Sequence, residues 1–244
     1  MDADQLPQDF KVNFMIIGAQ KCGTTSLAEQ LAKHPEICFC KTKEPAYFNT
    51  TADWQAGLSR YHALFTPAPR EICGEASTSY TFLPEYPETH SRLYSYNPEL
   101  KLIYIMRNPV ERIMSHYAHR LSLGRINALP ENEVFARPDY INRTRYSYQI
   151  GPYLELFGRK NILLLLFEDY IHHQEETLKQ TALFLGISPE TFPEIDTTPK
   201  NKTRRAREPQ FSPGVKRQLW DVLRTDVQSL EEIMGKRLDI WTDQ

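Results

Sequence analysis

The sequence has no long hydrophobic run. Its longest unbroken apolar stretch, Ile162 to Phe167, is six residues, against the roughly 20 that a helix needs to span a bilayer. Charge of one sign is not in excess either: 29 lysines and arginines stand against 31 aspartates and glutamates, a net charge of −2. A global field that would recruit nucleic acid is therefore excluded, and no nucleic-acid partner and no membrane insertion are expected. Cysteine is scarce and unpatterned. Cys22, Cys38, Cys40 and Cys73 form no CxxC pair and no ladder of spacings, so free thiols in a reducing cytoplasm are expected. The start, Met1-Asp-Ala-Asp, is acidic, and the apolar stretch Phe14 to Ile17 is too short for a signal peptide. The Asn-x-Thr triplets at Asn49, Asn142 and Asn201 then carry no weight, because glycosylation needs secretion. What is present is globular: 41% hydrophobic and 25% charged residues, over 244 residues. That length suits one domain, residues 1–244, with a full core.

Along the chain, short apolar runs alternate with helical patterns. Val12 to Ile17 suits a strand buried on both faces, and a helix is expected from Thr24 to near His34-Pro35. Ile37–Cys40, Ile72–Ala76, Leu100–Met106 and Ile162–Phe167 read as further strands. Trp54, Leu58, Tyr61 and Phe65 recur at helical spacing, which predicts a helix over Asp53 to Phe65. Asn108 is a good N-cap and Pro109 a good first residue for a helix to about Leu123. Gly124 to Tyr140 reads as an irregular excursion. Helices follow at Tyr146–Phe157, Glu168–Leu185 and Ser212–Met234. Alternating strands and helices predict an α/β fold: three layers, with a central parallel sheet flanked by helices.

The main chemical signal is the loop Gly18-Ala-Gln-Lys21-Cys22-Gly23-Thr24-Thr25-Ser26 between the first strand and the first helix. A glycine-containing turn there aims backbone N–H groups and the positive end of the helix at one point. Lys21, Thr24, Thr25 and Ser26 add a cation and hydroxyl donors, so an anion, most simply a phosphate, belongs in it. The spacing Gly18-x4-Gly23 equals that of the ATP/GTP loop G-x-x-x-x-G-K-[ST]. However, Thr24 stands where that loop has its lysine, and Lys21 lies inside the loop. A nucleotide triphosphatase also needs an aspartate at the end of a later strand to hold magnesium. Here the strand Leu100–Met106 ends in Arg107.

Arg107-Asn-Pro-Val-Glu-Arg112-Ile-Met-Ser115 forms a second candidate anion site. Ligands of parallel sheets sit outside the carboxyl ends of the strands, so Arg107 and the Gly18 loop should share a crevice. Arg107 can clamp a phosphate bidentately, and Ser115 can donate a further hydrogen bond. Two anion sites in one crevice suggest a nucleotide with phosphates at its 5′ and 3′ positions.

Together the two motifs resemble the sulfotransferases that use 3′-phosphoadenosine 5′-phosphosulfate (PAPS). That family carries K-x-G-T-[TS]-x-L after its first strand and R-[DN]-P-x-x-R-x-x-S around the 3′-phosphate. This chain has Lys21-Cys-Gly-Thr-Thr-Ser-Leu27 and Arg107 to Ser115. Lys43-Glu44-Pro-Ala-Tyr-Phe48 is similar to the family segment with a catalytic glutamate before an aromatic pair. Arg145-Tyr-Ser-Tyr-Gln-Ile150, Phe184-Leu-Gly-Ile187 and Gly235-x4-Ile240-Trp241 also fit. The nearest branch holds glycan (heparan-type) and bacterial natural-product sulfotransferases. A lysine often found there in a Glu-Lys-Thr-Pro segment is missing, since the stretch here is Glu75-Ala-Ser-Thr-Ser79.

The resemblance implies the P-loop NTPase-like sulfotransferase fold, PAPS as donor and 3′-phosphoadenosine 5′-phosphate (PAP) as product, with no metal required. Lys21 would neutralise charge on the bridging oxygen and the leaving phosphate. Cys22, Gly23, Thr24, Thr25 and Ser26 would cradle the 5′-phosphate, and Arg107 and Ser115 the 3′-phosphate. Glu44 is the expected general base, with His116 and His119 as alternatives on the helix that carries Ser115. Tyr146 and Tyr148 are expected to line the cleft, although tyrosines there could equally be core. The basic run Lys200 to Arg207 is expected to close over the donor through Lys202, Arg204 and Arg205. The acceptor would be a small-molecule, carrier-bound or glycan hydroxyl, less readily an amine. A magnesium–ATP kinase and a nucleotide-binding protein without chemistry remain as the other readings.

Overall fold

The computed structural model describes residues 6–192 and 211–241, Gln8 and Arg70 excepted. In chain order the elements are β1 (Phe14–Gly18), α1 (Thr24–Leu31), β2 (Ile37–Phe39), α2 (Tyr47–Thr50), α3 (Leu58–His62), β3 (Ile72–Ala76), α4 (Thr89–Tyr96), β4 (Lys101–Met106), α5 (Pro109–Ser122), α6 (Pro130–Val134), α7 (Pro138–Asn142), α8 (Tyr146–Phe157), β5 (Ile162–Leu166), α9 (Phe167–His172), α10 (Gln174–Leu185) and α11 (Pro213–Met234). The strands form one sheet in the order β2-β3-β1-β4-β5, and every pairing is parallel. Every residue of β1 and β5 is buried, as a sheet covered by helices on both faces requires. This is the α/β sheet that the alternation of strands and helices predicts.

The strand order places the site. From β1 the chain crosses to β2 and β3 on one side, then to β4 and β5 on the other. The order therefore reverses at β1, and the crevice expected at such a switch point opens where the carboxyl ends of β1 and β4 lie side by side. Gly18 closes β1 there and Arg107 follows β4 directly. Helix α5 starts as its sequence predicts: the Asn108 side chain accepts from the N–H groups of Val110 (3.0 Å) and Glu111 (3.2 Å), and Pro109 follows. A second apolar cluster joins α5 to α6, α7 and α11 through Ile113, Tyr117, Val134, Tyr140, Leu219 and Leu223.

Three expectations change. The helix over Asp53 to Phe65 is confined to α3, because residues 53–57 turn around the Tyr47 ring. The Tyr47 hydroxyl donates to the carbonyl of Trp54, and a Cβ on Gly57 would lie 2.5 Å from that hydroxyl. The helix over Glu168 to Leu185 divides at His173, whose extended φ of −134° ends α9 and starts α10. The excursion from Gly124 to Tyr140 holds the one-turn helices α6 and α7, each with proline in its first turn. Among the described residues, no helix is long and apolar enough to cross a membrane.

Candidate functional site

The loop from Gly18 to Gly23 delivers Lys21 and the start of α1 to the crevice. Helix α1 has no side-chain cap; Gly23 stands at its N-cap with φ 85°. The first N–H groups of the helix thus keep their hydrogen-bonding capacity for a ligand. Gly23 is required twice over, since its φ is left-handed and a Cβ would lie 2.8 Å from the Phe167 ring. Lys21 itself is a non-glycine residue at φ 71°, a conformation that the surrounding structure must hold in place.

Burial lowers the Lys21 ammonium from the usual lysine range, and the neighbouring cations Arg112, Arg107 and Lys43 lower it further. Four basic side chains thus converge, and none of the influences on Lys21 comes from a carboxylate. Such a cluster is at an electrostatic disadvantage until an anion enters it. Thr24 and Thr25 line a cavity of about 180 Å³ beside the loop, together with Lys41, Lys43 and Glu44. The Ser26 hydroxyl bonds the Tyr170 hydroxyl at 3.0 Å, which ties the first turn of α1 to α9. The Cys22 thiol is buried and pushed up to about 11 by that burial, so it stays protonated. The Cys22 N–H is likewise committed, donating to the Ala19 carbonyl at 3.2 Å.

Arg112, which the sequence reading quotes only as part of a motif, is the principal support of this loop. Its guanidinium is fully buried; Nε donates to the Gln20 carbonyl at 3.0 Å and Nη2 to Gln20 Oε1 at 3.2 Å. Its Nη1 donates to Thr144 Oγ1 at 3.1 Å and to the Tyr140 carbonyl at 3.3 Å. A charge buried among neutral acceptors contributes a field that points into the crevice. Ser115 and His119 follow Arg112 at i+3 and i+7, on the stripe of α5 that meets the loop.

Arg107 lies over the Phe167 ring at 5.1 Å and pairs with Glu111 at 3.2 Å, one turn on in α5. Its backbone is held by Tyr146, whose hydroxyl donates to the Arg107 carbonyl at 2.8 Å. Tyr146 is fully buried, with that hydroxyl also 3.6 Å from Cys22 Sγ. It therefore sits behind both the Gly18–Gly23 loop and Arg107, a supporting place and not a cleft wall. Glu168 completes the support: it accepts from the Asn108 N–H at 2.8 Å and from Trp241 Nε1 at 3.0 Å.

Glu44 stands across the cavity from Thr25, exposed, at φ 51°, with Ala46 at φ 49°. Lys21, Glu44 and Ala46 are the non-glycine residues of positive φ among the described residues, and all three belong to this site. Glu44 Oε2 accepts from the Thr78 hydroxyl at 3.1 Å. Beneath it lies Glu75, a fully buried carboxylate at the end of β3, whose importance the sequence reading misses. A glutamate followed by hydroxyl residues at Ser77, Thr78, Ser79 and Thr81 is the signal that could have found it.

The two histidines separate. His116 is buried against the Tyr140 ring at 4.6 Å, with Nδ1 3.4 Å from Arg112. Burial first, and then Arg112, Arg120 and Arg143, push it far below the usual histidine range. His119 is half-buried, and its pKa is lowered by burial, by Lys21 and by Arg125, which favours the neutral imidazole. Among the described residues, no group of three or more His, Cys, Asp or Glu is arranged to hold a metal ion. Lys202, Arg204 and Arg205 lie outside the described residues.

The family model described as a sulfotransferase domain matches residues 11–213. The chain is 24% identical over 276 residues to carbohydrate sulfotransferase 15 of Mus musculus, covering 82% of this chain and 49% of that protein. It is 35% identical over 111 residues to heparan sulfate glucosamine 3-O-sulfotransferase 6 of Homo sapiens, covering 44% of this chain and 30% of that protein. The chain thus spans about half the length of these relatives, or less. A solved sulfotransferase from Alicyclobacillus acidocaldarius superposes with a TM-score of 0.81 at 28% identity, covering 95% of this chain and 99% of that one.

Proposed function

The chain belongs to the sulfotransferase domain family, and from that premise we propose that it moves the sulfuryl group of PAPS to an acceptor hydroxyl, releasing PAP. The observation that carries the reading is the cluster of Lys21, Arg107, Arg112 and Lys43 at the switch point of the sheet, with Glu44 facing it. A doubly phosphorylated, sulfated donor supplies anions for a cluster in which, of these cations, Arg107 is paired, with Glu111. The donor's phosphosulfate supplies the group to be transferred. Gly23 N–H, Thr24, Thr25 and Ser26 would hold the 5′-phosphate, and Arg107 and Ser115 the 3′-phosphate. Lys21 would offset charge on the oxygen that leaves sulfur. Glu44 would take the acceptor proton as the new S–O bond forms, and His119 is the other group able to do so.

The acceptor is proposed to be a small-molecule, carrier-bound or glycan hydroxyl. The names of the carbohydrate and heparan sulfate relatives support the glycan case, and the aromatic residues Trp54 and Phe135 would suit an apolar acceptor equally. Residues 1–244 are read as one domain acting in the cytoplasm, a reading supported by four free thiols.

The test is turnover of PAPS against a panel of hydroxyl acceptors, with release of PAP as the readout. Glu44→Gln is expected to keep PAP affinity and lose about 10²- to 10⁴-fold in kcat. Turnover near that of the wild type in this variant would move the base to His119.

A further inference from the structure

We propose that Ser77 and Thr78 are positioning residues that hold Glu44 against the acceptor, with Ser77 oriented by the buried carboxylate of Glu75; the proposal rests on the reading of Glu44 as the base. An exposed carboxylate on a loop samples many orientations, and a base needs one. The loop from Glu44 to Ala46 is, in addition, strained at both ends, with φ values of 51° and 49°. Something must hold it.

Two hydrogen bonds do so, and both come from the segment after β3. The Thr78 hydroxyl donates to Glu44 Oε2 at 3.1 Å, which fixes the side chain. The Ala46 N–H donates to Ser77 Oγ at 3.0 Å, which fixes the backbone two residues on. Ser77 can accept there because its own proton is committed elsewhere: its hydroxyl donates to Glu75 Oε2 at 2.6 Å. The other oxygen, Glu75 Oε1, accepts from the Tyr80 hydroxyl at 2.7 Å and the Tyr61 hydroxyl at 2.8 Å. Glu75 is thus an acceptor for three hydroxyls, and this sets the direction of the bonds from Ser77 to Ala46.

The segment is also tied to the strand that carries Lys21. The Thr81 hydroxyl donates to the Ile17 carbonyl at 2.8 Å, and a Cβ on Gly18 would meet that hydroxyl oxygen at 2.4 Å. The base and the lysine are therefore referenced to one end of one sheet. The placement of Glu75 is costly: burial raises its pKa, the bonds from Ser77, Tyr80 and Tyr61 offset only part of that, and the Glu44 charge adds to the rise. A core that needed only packing would be served better by an apolar residue.

The test is a double-mutant cycle on kcat. Thr78→Val is expected to lower kcat about tenfold, with PAP affinity and acceptor KM unchanged. Thr78→Ser, which keeps the hydroxyl, is expected to restore it, and in the Glu44→Gln background Thr78→Val is expected to have no further effect. Ser77→Ala should behave as Thr78→Val does, and thermal unfolding of each variant confirms that the fold is kept. An equal loss from Thr78→Val in both backgrounds overturns the proposal, as does wild-type kcat in Thr78→Val when Glu44→Gln is impaired. Wild-type kcat in Glu44→Gln overturns the base assignment itself, and this proposal with it.

Discussion

Lys21→Ala is expected to lower kcat about 10³-fold or more while the protein keeps its fold. The lysine stands in a left-handed loop position at φ 71°, a conformation that alanine would share, so the substitution leaves the backbone demand unchanged. Its ammonium is partly desolvated and faces two arginines and Lys43. In the absence of ligand this arrangement works against the charged form. Removing the charge should therefore leave thermal stability unchanged or raise it, the opposite of what a structural lysine would do. The sign follows from the direction of the shift: a lysine with a lowered pKa in the folded state costs stability wherever it is charged in both states. Turnover and thermal unfolding measured on one preparation check both halves. A variant that loses stability and keeps its rate would mean that Lys21 belongs to the scaffold.

Arg112→Ala is expected to have the largest effect on stability, lowering the midpoint of thermal unfolding by about 10 °C. Removing the guanidinium takes an N–H donor from the Gln20 carbonyl, Gln20 Oε1, the Tyr140 carbonyl and Thr144 Oγ1, of which Gln20 Oε1 keeps Arg143 at 3.4 Å and the Tyr140 carbonyl keeps the Thr144 hydroxyl at 2.6 Å. Each such loss costs about 1–3 kcal/mol, and part is recovered by relaxation and water. For a domain of this length, 1 kcal/mol moves the midpoint by about 2–4 °C. Because Arg112 holds Gln20, the residue before Lys21, PAP affinity should fall as well. A change of less than about 2 °C would show that the loop is held by other contacts.

These expectations draw on residues of unequal visibility in the sequence. Strands β1, β4 and β5 are legible because strands buried on both faces are continuous apolar runs, as Phe14–Ile17 and Ile162–Leu166 are. Helix α5 announces itself through Asn108 and Pro109, and α11 through Ser212 and Gly235, which cap its two ends. By contrast α4 has no such punctuation, and the helical spacing from Trp54 to Phe65 is overridden by the turn around Tyr47. In the site, Lys21, Glu44 and Arg107 are legible because local motifs carry them. Arg112 is not, because its main partner comes from a distant part of the chain: Gln20 is 92 residues away. Glu75 bonds Ser77 and Tyr80 close by, but burial of a carboxylate depends on the strands and helices packed around it. The stretch Glu75 to Ser79 reads as a place where a lysine is missing. In the folded chain it is a buried carboxylate that holds Ser77, and hydroxyls at Ser77 and Thr78 that bond the Ala46 N–H and the Glu44 side chain.

The central claim is that the crevice between β1 and β4 binds a nucleotide with phosphates at both the 5′ and the 3′ positions. Calorimetric titration with PAP, beside ATP with magnesium, tests it most directly. The account predicts tight binding of PAP that Arg107→Ala weakens by about 10²-fold, since a bidentate arginine–phosphate pair is lost. Binding of ATP with magnesium, and none of PAP, would contradict it and identify the loop as that of a kinase.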